Sequence, residues 1–294
     1  MKNFLKVFIT ISFITILLMF FLDKGYSHAF KNAQHRSKIH NILQSKNKHY
    51  DVAFFGSSRT RNHIDCKLIT ELTGKSCINF GITAGSPGDM LIIMKLAESR
   101  KIFFKQVFMQ VDYNYNRSGI SQNFRSNFIG PLIADPVVKK QLRKYEENNI
   151  YESIPFYHYM KFERIIGLRE LIASFNKRNP YKELDLEIGF SPLRGIGKDV
   201  ADSFPEEINN TSEEFKQMQN FYKNTDSKIE FFTAPYCKEV ENRNFMDEVQ
   251  LKLPGLHNYI DLFDDKDEYF FNCGHLNEAG AKVFTITLIH DLLK

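Results

Sequence analysis

The chain has 294 residues, 43% of them hydrophobic and 25% charged, with a formal net charge of +4 at pH 7. This is an ordinary globular composition and excludes a disordered or collagen-like chain. The positive excess is too small and too dispersed to argue for nucleic acid as a partner. The four cysteines show no Cys/His spacing of a zinc site, and no metal or cofactor is implied.

Phe4 to Leu22 is almost wholly apolar except for Lys6 and a few hydroxyl residues. About 20 such residues span a bilayer. Lys2 and the terminal amino group precede the run and Lys6 lies near its start, which favours a cytoplasmic N-terminus and an exported body, periplasmic or extracellular. Residues 1–23 therefore read as a transmembrane anchor. A cleaved signal peptide is the competing reading, with Ser27-His28-Ala29 as its small-x-small site; the body is then secreted. Residues 24–49 read as a polar linker. Its Lys-rich part, Lys31 to Lys48, suits a solvated juxtamembrane segment that touches anionic headgroups. Residues 50–294 are long enough for one α/β domain.

Within that domain, Asp51 to Phe55 reads as a buried strand ending at Gly56. His63 to Leu72 reads as a helix closed by Gly74, and Ser76 to Phe80 as a strand ending at Gly81. Ser86 caps a helix that Pro87 opens and that runs to about Arg100. Gln106 to Val111 is a third strand, running into Asp112-Tyr113-Asn114. The alternation breaks over residues 117–210, an insertion with amphipathic pieces (Val137 to Glu147, Tyr157 to Phe175) and a Gly/Pro-rich stretch, Gly189 to Gly197. Its aromatics, Phe156, Tyr157, Tyr159 and Phe162, either line a substrate groove or are core, the commoner role. A helix from Ser212 to Tyr222, a strand from Lys228 to Ala234, a helix from Val240 to Leu251, a strand from Asn258 to Phe263 and a closing helix from Leu276 to Leu293 follow. Such alternation predicts a central parallel sheet of about five strands with right-handed crossovers. Sites on such sheets form at the carboxyl ends of strands.

Four residues at those ends carry candidate chemistry. Ser58 follows the first strand on a tight turn and is a nucleophile if a base takes its proton. Gly81 follows the second, where a backbone N–H can approach a ligand closely. Asn114 follows the third and offers a side-chain amide. His275 lies directly before the last helix and is a candidate base. Each also has a plainer role, as a turn or capping residue. Cys66 and Cys77 are close in sequence, and Cys237 and Cys273 both fall near this region. An exported chain can form disulfides, but pairing is not readable from sequence, and buried free thiols remain open.

In this order the segments Gly56-Ser57-Ser58-Arg59, Asn79-Phe80-Gly81-Ile82, Asp112-Tyr113-Asn114 and Gly274-His275-Leu276-Asn277 resemble the four blocks of the SGNH (GDSL-like) hydrolase superfamily. The resemblance covers about residues 50–115 and 225–294, not the anchor or the insertion. It implies a flavodoxin-like three-layer α/β/α fold. It also implies Ser58 as nucleophile, His275 as base, and the Ser58 N–H, Gly81 N–H and Asn114 amide as an oxyanion hole. The Gly-Ser-Ser-Arg variant, with Ser57 in place of the usual aspartate, is similar to membrane-anchored members associated with cell-envelope polymers. The implied activity is an acyl esterase or acyltransferase acting on a cell-envelope or capsular glycan, alone or with envelope biosynthesis partners. The position of the triad acid, three residues before the histidine, is Asn272. The site then runs as a Ser58–His275 dyad with Asn272 only orienting the imidazole, or recruits Asp264, Asp265, Asp267 or Glu268, or is a catalytically degenerate module that binds glycan or serves in an assembly complex.

Overall fold

Two apolar runs, Val52 to Phe55 and Val107 to Met109, are wholly buried and lie side by side at the centre of a parallel sheet. Phe54 stacks on Phe108 at 5.0 Å and meets Phe232 edge-on at 5.9 Å. Burying each such side chain contributes roughly 1.5–3 kcal/mol. The computed structural model describes residues 1–32, 39, 42, 45–129, 132–133, 135–145, 154–162, 172, 189–197, 203–209, 211–222 and 227–293. In chain order its main elements are helix α1 (Lys2–Asn32), strand β1 (His49–Phe55), helices α2 (Ser58–His63) and α3 (Cys66–Thr73), strand β2 (Cys77–Asn79), helix α4 (Pro87–Ser99) and strand β3 (Phe103–Gln110). Then come helices α5 (Pro136–Tyr145), α6 (Tyr157–Phe162) and α7 (Glu213–Tyr222), strand β4 (Lys228–Thr233), helix α8 (Phe245–Lys252) and strand β5 (His257–Asn258). Strands β6 (Phe270–Asn272) and β7 (His275–Leu276) and helix α9 (Glu278–Leu292) close the chain.

The chain divides into two compact units, Met1–Arg36 with Gln122–Pro180, and Ser37–Ser121 with Tyr181–Lys294. The second holds the sheet, in the order β2-β1-β3-β4-β5, all neighbours parallel. This is the flavodoxin-like order, and helices flank the sheet. Helix α3 packs on α9, and α4 packs on α7. Local chemistry sets the helix ends. Asp65 caps α3 by accepting from Lys67 N–H at 2.9 Å, and Ser86 with Asp89 forms a capping box on α4. Both disulfides form, Cys66 to Cys77 between α3 and β2, and Cys237 to Cys273 near the ends of β4 and β6.

Four details differ from the sequence reading. The chain is already helical at Ser58, five residues before the predicted helix start, because Ser57 caps α2. The last sheet strand is only His257–Asn258. Beyond it, the Ile260 carbonyl accepts from the Tyr236 N–H at 3.3 Å and from Arg243 Nη2 at 3.2 Å, Arg243 also binds the carboxylates of Asp261 and Asp264, and the chain enters turns. A two-stranded antiparallel ladder, β6 with β7, precedes α9. Helix α1 continues past Asp23 to Asn32, so the start of the expected linker is helical. The rest of that linker falls largely outside the described residues, as do most of Tyr157 to Phe175 beyond Phe162 and the last two residues of Val137 to Glu147.

The first unit consists of α1 with the segment that carries α5 and α6. Lys2–Ala29 is long and apolar enough to be a membrane anchor or a signal sequence.

Candidate active site

Strand β1 ends at Phe55 and the chain turns through Gly56 into α2. A Cβ at Gly56 would collide with Thr60 Oγ1 and Gln110 Oε1, so only glycine fits here. The two serines that follow have different tasks. Ser57 is buried and is the helix cap, its Oγ accepting from the Arg59 N–H at 3.3 Å. Both its hydroxyl and its own N–H donate to Gln110 Oε1, each at 2.8 Å. Ser58, the first helical residue, is half-buried, and its Oγ lies 2.8 Å from His275 Nε2.

Gln110 is the last residue of β3 and is wholly buried. Besides the two bonds from Ser57, its Oε1 accepts from Thr60 Oγ1 at 3.2 Å, and its Nε2 donates to Asp112 Oδ2. The same carboxylate oxygen accepts from Arg59 Nη1 at 3.1 Å and from the Tyr236 hydroxyl at 3.2 Å. The Arg59 guanidinium lies over the rings of Tyr236, at 4.3 Å, and Tyr113, at 5.0 Å. A buried charge needs this degree of pairing to be tolerated. The turn that carries Ser58 therefore rests on a connected polar network, which fixes Ser58 through its neighbours on both sides.

His275 is held by the β6–β7 ladder, in which Asn272 is its register partner. Its Nδ1 lies 3.0 Å from Asn272 Oδ1. An amide oxygen has no hydrogen to give, so Nδ1 carries the proton and the Nε2 lone pair faces the Ser58 hydroxyl. That is the tautomer a general base needs. Burial, then the nearby Arg59 charge, lowers its pKa to about 4, so the ring is neutral at neutral pH. Among the described residues, its hydrogen-bond partners are Ser58 and Asn272. Asp264 is engaged by Arg243 and Asp265 by Lys238.

The other two oxyanion candidates are engaged locally. The Gly81 N–H, expected to face the nucleophile, donates to Asn79 Oδ1 at 2.9 Å, within its own loop. Glycine is required at 81 for a different reason. A Cβ there would run into the Arg61 backbone and Thr60, so the residue is what lets β2's loop pack against α2. Asn114 is buried, and its Oδ1 accepts from the Asp112 N–H at 3.1 Å while its own N–H donates to Asp112 Oδ1 at 2.8 Å. Its Nδ2 makes a long bond, 3.4 Å, to the Gln110 carbonyl, which uses one of two hydrogens.

Sequence reasoning missed two residues that hold the site. Gln110 sits inside an apolar strand pattern, where an isolated glutamine gives no sign of its direction. His63 ends α2 and is wholly buried, and its Nε2 accepts from the Leu276 N–H at 2.9 Å. One short helix thus starts with Ser58 and ends with the residue that anchors the neighbour of His275. In sequence, His63 reads only as the first residue of the helix expected over His63 to Leu72, and nothing there marks it as an acceptor for a distant N–H.

No protein-family model and no curated protein matches the chain. Among solved structures, one described as "a putative platelet activating factor from Streptococcus pneumonia" is similar over 97% of this chain and 98% of its own. The identity is 11% and the TM-score 0.37.

Proposed function

We propose that the protein is a serine esterase or acyltransferase of SGNH type that acts on an acylated cell-envelope or capsular glycan. The observation that carries this reading is the 2.8 Å contact between Ser58 Oγ and His275 Nε2, with Asn272 holding the imidazole in the base tautomer. As Ser58 Oγ attacks the ester carbonyl carbon, its proton passes to His275 Nε2. The carbonyl oxygen becomes the oxyanion, to which this reading assigns the Ser58 N–H at the start of α2 and the second Asn114 amide hydrogen as donors. The imidazolium then gives its proton to the departing alkoxide, leaving an acyl-Ser58 ester. Water or a glycan hydroxyl attacks that ester through the same base, releasing acid or a new ester and restoring Ser58. No step calls on a cofactor or a metal ion. The two disulfides suit an oxidising compartment, and the apolar helix suits a membrane tether with the catalytic unit outside the cytoplasm.

A second reading is a degenerate module of the same type that binds glycan, or serves in an envelope assembly complex, without turning over. It is favoured by the amide at position 272, by the low basicity of His275 and by the engagement of the Gly81 N–H. Labelling with a fluorophosphonate probe separates the two. Wild-type labelling that Ser58→Ala abolishes supports the enzyme, and equal, background labelling of both supports the binding module.

A further inference from the structure

The apolar helix does not stop being structured where its apolar run ends. From Lys2 to Leu22 its side chains are exposed, apart from partial cover of Ser12 and Met19, whereas Asp23, Tyr26 and Ser27 are half-buried and Ala29 is buried. Positions 23, 26 and 27 fall on one helical face. That face is occupied by residues 156–159 of the same compact unit. The Tyr26 ring meets Phe156 edge-on at 5.0 Å and Tyr159 at 5.5 Å. The hydroxyls of Ser27 and Tyr159 are 2.8 Å apart. Asp23 accepts from the Phe156 N–H at 2.7 Å, and His158 Nδ1 lies 3.6 Å from the same carboxylate oxygen.

From these contacts we infer that the helix is a retained anchor and that residues 154–160 lie in the headgroup layer of the membrane, as a second, interfacial contact with lipid. The inference rests on the anchor part of the reading above, and it decides between anchor and leader. Cleavage after Ala29 would cut a continuous helix and remove the surface on which Phe156, His158 and Tyr159 pack. The depth follows from helix geometry. Tyr26 lies four residues past Leu22, about 6 Å along the axis at about 1.5 Å per residue. The headgroup layer is roughly 5–7 Å thick on each side of a hydrocarbon core of about 30 Å. Any residue in contact with Tyr26 is therefore at headgroup level. The residue types suit that level, since tyrosines present an apolar body and a polar tip. Met160 is 66% exposed and Ile154 37% exposed on the same segment, which leaves apolar groups for the acyl boundary.

The chain contains no tryptophan, so a single introduced one reports its own position. The experiment uses the full-length protein in phosphatidylcholine vesicles with lipids brominated at shallow or deep chain positions, and carries Phe13→Trp, Met160→Trp or Ile154→Trp. Both mutated positions of the segment are exposed enough to accept the change. Phe13→Trp should be quenched most by deep bromines. Met160→Trp and Ile154→Trp should lose about half their emission to shallow bromines and little to deep ones, as expected for groups held about 5–10 Å into the boundary. Phe13→Trp quenched while neither reporter in the segment is would overturn the interfacial placement and leave the anchor standing. Absence of quenching in all three would overturn the anchor reading and this inference with it. The mass of wild-type protein purified from membranes gives an independent check, because loss of residues 1–29 also overturns the inference.

Discussion

The rings of His63 and His275 stand 5.9 Å apart at an interplanar angle of 88°. Burial is the main cause that holds both below the usual imidazole range. His63 spends its neutral Nε2 on the Leu276 N–H, so its lone pair, not its charge, is what the site uses. Two consequences can be measured.

His63→Leu should lower the labelling rate of Ser58 by about tenfold or more, because a displacement of about 1 Å at a reacting group costs up to roughly a hundredfold. His63→Gln, whose amide oxygen can accept the same N–H, should stay within about threefold of wild type. Amide hydrogen exchange at Leu276 should be protected in wild type and in His63→Gln and fast in His63→Leu. Equal rates and equal protection in the two variants would show that the bond positions nothing.

The same histidine should make stability sensitive to acid. Its folded pKa lies well below that of the unfolded chain, so as pH falls the unfolded state binds the proton first. The contribution is fully present above about pH 6.5 and is lost below it at up to about 1.4 kcal/mol per pH unit. His275, with its pKa lowered to about 4, acts in the same direction between about 6.5 and 4. Asp89, raised to about 6 by burial, acts oppositely, so the informative quantity is a difference. Between pH 7 and pH 5, His63→Gln should lose less stability than wild type in urea titrations. Identical losses would place a compensating proton elsewhere.

Asn272→Asp should separate the two functional readings. A carboxylate on Nδ1 would raise the basicity of His275 and stabilise its charged form. The reverse change in a serine protease costs about 10⁴ in turnover. If the protein is an enzyme, labelling at pH 8 should be unchanged or faster. The acid limb of the pH profile should move up from about 4, because the stronger base stays protonated to higher pH. The variant should then hold or gain at pH 8 and lose at pH 5 relative to wild type. A large loss at both would give Asn272 a role of its own in binding.

Gln110 should matter to stability as well as to rate. Gln110→Ala leaves the Ser57 N–H, the Ser57 hydroxyl and the Thr60 hydroxyl without the oxygen they share, and removes one donor from Asp112. Each buried group left unsatisfied costs about 1–3 kcal/mol. The expected result is a fall in the urea midpoint together with loss of Ser58 labelling. A variant as stable as wild type would mean that water replaces the amide without strain.

The sheet was legible because its strands are short apolar runs ended by glycine or by polar turns. Ser58 is legible from its place at the carboxyl end of the first strand, and His275 from its place directly before the last helix and from the resemblance of its segment to the family's last block. What escaped was set by side chains that act across the chain. Nothing in Gly56-Ser57-Ser58 shows that Ser57 faces inward to Gln110 while Ser58 faces His275. Nothing in the apolar pattern of Asn258 to Phe263 reveals that the chain enters turns from Ile260, where Arg243 binds the Ile260 carbonyl and the Asp261 and Asp264 carboxylates. Gly81 reads as special in sequence, but its close approach to α2 depends on β2 and α2 being neighbours, which local sequence does not encode. The apolar pattern of helix α1 ends at Leu22, although Asp23, Tyr26 and Ser27 carry the helix on by packing rather than by apolar character.

The disulfide between Cys237 and Cys273 joins the loop after β4 to the residue between Asn272 and Gly274, and the Cys237 N–H donates to the Cys273 carbonyl at 3.0 Å. It therefore pins the ladder that carries both Asn272 and His275 to the carboxyl edge of the sheet. The bridge between Cys66 and Cys77 ties α3 to β2 and has no such connection to the imidazole. Replacing either pair with serines should cost about 2–4 kcal/mol of stability. The two variants should differ in rate. Under conditions where both remain folded, loss of the Cys237–Cys273 bridge should slow Ser58 labelling by about tenfold or more through misplacement of the base. Loss of the Cys66–Cys77 bridge should leave the rate within about threefold of wild type. Hydrogen exchange across Phe270 to Leu276 should rise only in the former. Equal labelling rates in the two variants would mean that the Cys237–Cys273 bridge does not position His275.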